Sequence, residues 1–187
     1  MLKISIAVSK ITLFENTYMN YLMKTTAICV LTTLSITSYA QSVSVAINKE
    51  TANKTKILNI NEKKQARANG YEDEAMNFVF DNKEIIMKDI NSDGIHDAIA
   101  LLSYCEEASC HATTKSVDLV IFKGIGKNKF TKLGSASLGL KAKIKNINKG
   151  IINVVSYEYG DEDPGCCPSK QSSKSYKITN GKLIKVK

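Results

Sequence analysis

The sequence predicts a mainly β fold, α+β at most: an antiparallel β-meander sheet with a polar N-terminal segment over one face or edge, stapled by disulfides. Three observations carry this expectation. From Asn77 onward, short apolar runs of strand length alternate with turn residues. No long amphipathic helix separates those runs to support parallel crossovers. Four cysteines, Cys105, Cys110, Cys166 and Cys167, lie beyond an apparent export signal, where oxidised pairs are the rule.

Taken in order, residues 41–76 form a polar, Lys/Asn-rich segment with apolar patches at Val43–Ile47 and Ile57–Ile60. Its charged end, Glu62–Met76, contains Ala66, Ala68 and Ala75 and suits a short surface helix. The β-rich, disulfide-linked domain occupies 77–187. Its candidate strands are Phe78–Phe80, Glu84–Asp89, Ala98–Tyr104, Val117–Lys123, Lys129–Leu133, Ala142–Ile147, Ile151–Tyr157, Ser175–Thr179 and Leu183–Val186. Turns are expected at Asp81-Asn82, Gly124–Asn128, Asn148–Gly150 and Asn180-Gly181. The last is a two-residue hairpin signal, because Asn-Gly tolerates the positive φ of a type I′ turn.

The chain has 187 residues with 26 Lys+Arg against 18 Asp+Glu, a formal charge of +8. Two His and no Trp exclude chemistry that needs several imidazoles or an indole platform. The basic surplus is almost all Lys, with Arg67 alone, whereas nucleic-acid recognition favours the bidentate guanidinium. Nucleic acid is therefore not an expected partner. Lys141–Lys149 alternates Lys with Ala142, Ile144 and Ile147, as a strand with one solvated face would, and electrostatic contact with an anionic envelope surface is the modest reading of it.

Residues Met23–Ala40 have the three parts of a secretory signal peptide: Lys24, an apolar run Ala27–Ile36, and the small-residue cleavage site Ser38-Tyr39-Ala40. A spanning helix needs about 20 largely apolar residues. Here five hydroxyl side chains fall between Thr32 and Ser38. The expectation is an N-terminal extension and signal over 1–40, translation starting at Met19 or Met23, and a chain that does not span the membrane after cleavage. The location is then the periplasm or the cell exterior. Cys29 follows Ile28 rather than a small residue, which argues against lipid attachment.

Three pairings of the four remaining cysteines are open. One joins Cys105 to Cys110 and leaves Cys166 and Cys167 to each other. Adjacent Cα atoms lie ~3.8 Å apart, below the usual disulfide range of ~4.4–6.8 Å, so this pairing is the least favoured. The other two both tie Cys105–Cys110 to Cys166–Cys167. A zinc or soft-metal cluster of Cys105, Cys110, His111, Cys166 and Cys167 lacks the C-x2-C spacing of structural zinc sites. The absence of C-x-x-C also argues against a dithiol of the thioredoxin type.

One motif carries metal chemistry. Asp89-Ile90-Asn91-Ser92-Asp93-Gly94-Ile95-His96-Asp97 reads D-x-N-x-D-G-x-x-D. Oxygen side chains at alternate positions with Gly at the sixth make a Ca²⁺ loop pattern, and the hard ion takes six to eight oxygens. An EF-hand would place Glu at the twelfth position, which is Ala100. With strand-like flanks, the loop resembles the strand–loop–strand calcium loops of FG-GAP/VCBS-type repeats, in a single copy. That resemblance implies Asp89, Asn91, Asp93, the Ile95 carbonyl and Asp97 as calcium ligands. The plainer reading is a tight Asx/Gly turn without a metal.

A second resemblance covers residues 85–187. Asp163-Pro164-Gly165-Cys166-Cys167-Pro168-Ser169, then Tyr176 and Asn180-Gly181-Lys182-Leu183, is similar to the ending of LppP/LprE-type secreted lipoproteins, which also carry an upstream Asp-rich turn, a strand and a Cys. This chain departs from them in lacking a lipid-attachment Cys. The resemblance implies fold and disulfides rather than an activity.

No G-x-S-x-G elbow or H-E-x-x-H is present, and no catalytic group is assigned. The expectation is an exported, non-enzymatic binding or structural protein of the cell envelope with one calcium-stabilised loop. The alternative is a secreted hydrolase or thiol/metal-dependent enzyme with its site near Cys105–His111 and Asp161–Cys167.

Overall fold

The computed structural model describes residues 43–108, 110, 111, 113 and 115–186. The expected extension and signal peptide, 1–40, lie outside them. A helix, α1, covers 43–69. Val43, Ile47, Thr51 and Ala66 are buried along it, with Ala46 and Leu58 partly buried beside them. Spacings near four residues put these side chains on one stripe of a 3.6-residue helix. Gly70 ends it at φ 81°. There the Tyr71 N–H donates to the Ala66 carbonyl at 3.0 Å and the Gly70 N–H to Arg67 at 3.3 Å, the paired bonds of a Schellman end.

The expected short helix over 62–76 is thereby corrected to a longer one that starts earlier. Beyond Gly70 the chain makes only the 3-10 turn Glu72–Glu74. The reason is the thinness of the stripe: a helix covering one sheet face needs few apolar residues, and Lys and Asn between them hide the period. No helix among the described residues is long and apolar enough to cross a membrane.

Eight strands follow: β1 (Phe78–Lys88), β2 (Asp97–Glu106), β3 (Ser116–Gly124), β4 (Phe130–Gly139), β5 (Lys141–Asn148), β6 (Ile151–Glu158), β7 (Lys170–Thr179) and β8 (Lys182–Val186). They form two four-stranded antiparallel meanders, β1-β2-β3-β4 and β5-β6-β7-β8. The nine candidate strands become eight because Phe78–Phe80 and Glu84–Asp89 are one strand. Asp81-Asn82 is not a turn but a bulge, where pairing passes from Phe80↔Tyr104 to Asn82↔Ser103. One extra residue bends a ladder without ending it. The Asn180-Gly181 hairpin forms as expected, with φ of 50° and 71°.

The layers are α1, sheet 1 and sheet 2. On one face of sheet 1, Ala98, Ala100, Leu102, Tyr104, Val120 and Phe122 pack against Val43 and Ile47 of α1. On the other, Ile99, Leu101, Val117, Leu119, Ile121 and Leu138 meet Ile152, Val154 and Tyr176 of sheet 2, joining the two sheets. Each buried Val, Leu, Ile or Phe side chain among them contributes about 1.5–3 kcal/mol of transfer free energy. Gly134 marks a close approach of the two sheets, since a Cβ there would lie 2.9 Å from Leu183 Cβ.

Polar contacts fix α1 in place. Lys54 Nζ lies 2.8 Å from Asp118 Oδ2, and Lys132 Nζ 2.5 Å from Glu50 Oε1. Asn59 brackets Phe78, accepting from its N–H at 2.6 Å and donating to its carbonyl at 3.2 Å. Two buried atoms at this interface, Tyr104 Oη and Asp118 Oδ1, have no hydrogen-bond partner among the described residues.

Candidate metal-binding loop and cysteine sites

The connection between β1 and β2 is the Asp-rich loop. Its side-chain oxygens are turned inward by backbone N–H groups. Asp89 Oδ1 accepts from Ser92 at 2.7 Å and Asn91 at 3.3 Å, and Asp89 Oδ2 from Gly94 at 2.9 Å. Asn91 Oδ1 accepts from Asp93 at 2.9 Å, and Asp93 Oδ1 from Ile95 at 3.0 Å. These Asx turns bend the backbone through left-handed positions at Ser92 (φ 62°) and Gly94 (φ 80°). Asp89, Asn91 and Asp93 thus serve one turn together.

Asp97 differs. It opens β2 and is fully buried, with Oδ2 accepting from the Ile90 N–H at 3.2 Å and Oδ1 from the Gly124 N–H at 3.0 Å. Its carboxyl is therefore a brace, tying the start of the loop to the end of β3. Burial pushes this carboxyl above the usual range against those two bonds, and the negative charges of Asp93 and Asp89 push the same way. Asp93 goes the other way. The Lys123 ammonium, 3.0 Å from Oδ2, holds it below the usual range, helped by the Ile95 N–H.

Two glycines let the loop seat closely. A Cβ at Gly124 would stand 2.3 Å from the His96 carbonyl oxygen, and one at Gly150 (φ 72°) 2.6 Å from the Ile90 carbonyl oxygen. Lys88 Nζ donates to the Ile147 carbonyl at 2.8 Å. The loop is therefore clamped between the end of β3 and the β5–β6 hairpin. Lys123, Gly124 and Gly150 were not legible as partners of this motif. They are remote in sequence, and only the ladder register brings them to it.

Carboxylate and amide oxygens are hard donors, and each carboxylate offers about four lone-pair directions. Accepting three N–H bonds at Asp89 and one each at Asn91 and Asp93 leaves these residues capacity for a hard cation. Lys123 competes for Asp93 and is the charge such a cation would displace.

The cysteines correct the favoured pairing. Cys105 is joined to Cys110 and Cys166 to Cys167, with Cα–Cα distances of 5.0 and 3.8 Å. The expected ties between the two segments are absent because the chain folds back within five residues of Cys105. That satisfies Cys105 locally and leaves the vicinal pair to each other. The five-residue cluster of Cys105, Cys110, His111, Cys166 and Cys167 is likewise not assembled as one donor set, since each pair's sulfurs bond to one another. Asp81, Cys105 and Cys110 have potential ligand atoms within 4.8 Å of one another. While the sulfurs are bonded they are not thiolate ligands, and Asp81 Oδ2 is 3.0 Å from Lys115 Nζ.

The Cys166–Cys167 loop connects β6 to β7 and is closed by Asp163. Its Oδ2 accepts from Gly160 and Ser169 N–H groups at 2.7 Å each, and its Oδ1 from Ser169 Oγ at 2.6 Å. The Gly160 bond, then those from Ser169, hold the Asp163 carboxyl below the usual range. Asp163 and Asp97 engage different partners, Gly160 and Ser169 in one case and Ile90 and Gly124 in the other.

The outer face of sheet 2 carries Lys141 and Lys143, with ammonium groups 5.3 and 5.9 Å from the Tyr157 ring centre. Beside them Lys145, Asn146, Asn153, Ser173 and Ser175 line a shallow depression of about 250 Å³. No family model, curated protein or solved structure matches the chain.

Proposed function

We propose that the chain is an exported, non-enzymatic binding or structural protein of the cell envelope whose Asp89–Asp97 loop takes up Ca²⁺. The observation that carries the reading is the inward set of side-chain oxygens on Asp89, Asn91 and Asp93, braced from behind by Asp97. These three residues and the Ile95 carbonyl would hold the ion, with Asp97 bracing the loop rather than ligating, and the ion would supply structural cross-linking charge rather than chemistry. The signal-like residues 23–40 and the likeness of 85–187 to LppP/LprE-type secreted lipoproteins support the exported location. The Lys141, Lys143 and Lys145 row supports contact with an anionic envelope surface.

A ligand bound only by the native state raises stability by about 2.7 kcal/mol at a hundredfold excess over Kd. Millimolar calcium is therefore expected to raise the thermal midpoint over that in EDTA, and Asp89→Asn to abolish the response. Lys123→Met removes the competing ammonium and should lower the calcium concentration needed. An unchanged midpoint in millimolar calcium refutes the metal reading. N-terminal sequencing of cell-derived protein is expected to begin at Gln41; an uncut cytosolic chain refutes export.

A further inference from the structure

We propose that Cys166–Cys167 is a two-electron redox centre that exchanges with small neutral or cationic thiols, whereas Cys105–Cys110 is a fixed cross-link. The inference is independent of calcium binding. Accessibility separates the two pairs first. Cys105 is buried within β2, in register with Val79, and only its partner Cys110 is exposed, whereas Cys166 and Cys167 are both exposed in the β6–β7 loop. A thiolate can approach either cysteine of the second pair, whereas in the first the buried Cys105 is closed to attack and must be the leaving group when Cys110 is approached.

The second difference is what each bond constrains. In the chain-entropy account a cross-link stabilises according to the length of chain it closes. A bond between neighbouring residues closes almost none, so the fold loses little when it opens. The loop's shape also rests on groups other than sulfur. Asp163 links Gly160 to Ser169, the Cys167 N–H donates to the Pro164 carbonyl at 2.9 Å, and the Tyr159 hydroxyl donates to the Gly165 carbonyl. Pro168 is buried at its foot. The platform therefore survives a change in the oxidation state of the sulfurs it presents.

The exchange balances simply. An external thiolate attacks one sulfur of the pair, forming a mixed disulfide and releasing the other cysteine as thiolate. A second external thiolate attacks the external sulfur of that mixed disulfide and releases the remaining cysteine. Two thiols are oxidised to one small disulfide, the protein pair gains two electrons, and the two protons end on Cys166 and Cys167. Charge sets the substrate class. Exposed Asp161 and Glu162 share the loop with the sulfurs, with Glu158 and Lys170 at its base, so a thiolate that also carries a carboxylate approaches against repulsion while one that carries an ammonium is drawn in.

The test uses the oxidised, folded full chain without denaturant, treated with cysteamine or mercaptoacetate, quenched by alkylation and mapped by peptide mass. Cys166 and Cys167 are expected to open at a thiol concentration at least tenfold below that which opens Cys105–Cys110, with the circular dichroism unchanged. The rate ratio of cysteamine to mercaptoacetate is expected to fall several-fold in 1 M salt. Cys167→Ser should trap a mixed disulfide on Cys166. The double variant Cys166→Ser/Cys167→Ser should keep its thermal midpoint, and Cys105→Ser/Cys110→Ser should lower it. Simultaneous opening of both pairs, opening only on unfolding, or a double variant at 166 and 167 that fails to fold would overturn the redox assignment. A salt-independent rate ratio would overturn the substrate class.

Discussion

Sheets 1 and 2 have the same strand number and the same meander order, yet they are buried in different ways. β2 and β3 of sheet 1 are almost wholly buried, because α1 covers one face and sheet 2 the other. β5 alternates exposed and half-buried residues, since only one face of sheet 2 is covered. β2 opens Asp97-Ala-Ile-Ala-Leu-Leu, continuously apolar from Ala98 to Leu102, and β5 opens by alternating Lys with Ala and Ile. Topology is thus common to both, and the number of covered faces is what the residue pattern encodes. The Asp loop lies where the two sheets meet, so the site belongs to their junction.

The largest expected effect exploits that contrast. Leu119→Ala, in the layer between the sheets, is expected to cost about 2–5 kcal/mol, while Lys145→Ala on the open face of sheet 2 should fall within about 0.5 kcal/mol. Urea unfolding of both variants decides it; comparable losses would show that the second face of sheet 2 is also packed.

A smaller effect of opposite sign is expected under α1. The Tyr104 hydroxyl is buried with no hydrogen-bond partner among the described residues, and burial, with the charges of Asp118 and Glu50, pushes its ionisation up to well beyond the ordinary tyrosine range. Removing a buried hydroxyl that makes no bond relieves its desolvation cost. Tyr104→Phe should be neutral or stabilise by up to about 1 kcal/mol in the same unfolding experiment. A clear loss of stability would place a bound water on that oxygen.

The smallest effect is local and pH-dependent. The folded Asp163 carboxyl lies below its unfolded value of about 3.9. Its stabilisation is therefore present above that value and is lost as pH falls through the lowered folded one. Hydrogen-exchange protection of the Gly160 and Ser169 amides should decline on acidification while β2 amides stay protected. Asp163→Asn should remove the pH dependence, and protection that persists unchanged into strong acid would refute the clamp.

Most strands were legible because their cues are local: period-2 patterning, β-branched content and turn residues such as Asn180-Gly181. The Asp loop was equally legible as a motif, since its Asx turns bond within a few residues of themselves. α1 was not, because Val43, Ile47 and Leu58 are too sparse to announce a helix until a sheet face is there to receive them. The cysteine pairing was also hidden. Sequence spacing orders the alternatives only by average geometry, and the fold-back after β2 lies beyond such averages.

By itself, the sequence determined the β class, most strand positions and the alternation of donors in the Asp loop, all consequences of short-range sterics and hydrogen bonding. Only the tertiary structure decided that the meander divides into two sheets, that Asp97 becomes a buried brace, and that Lys123, Gly124 and Gly150 meet the loop. Those outcomes depend on contacts between residues far apart along the chain, and such contacts exist only once the layers have packed.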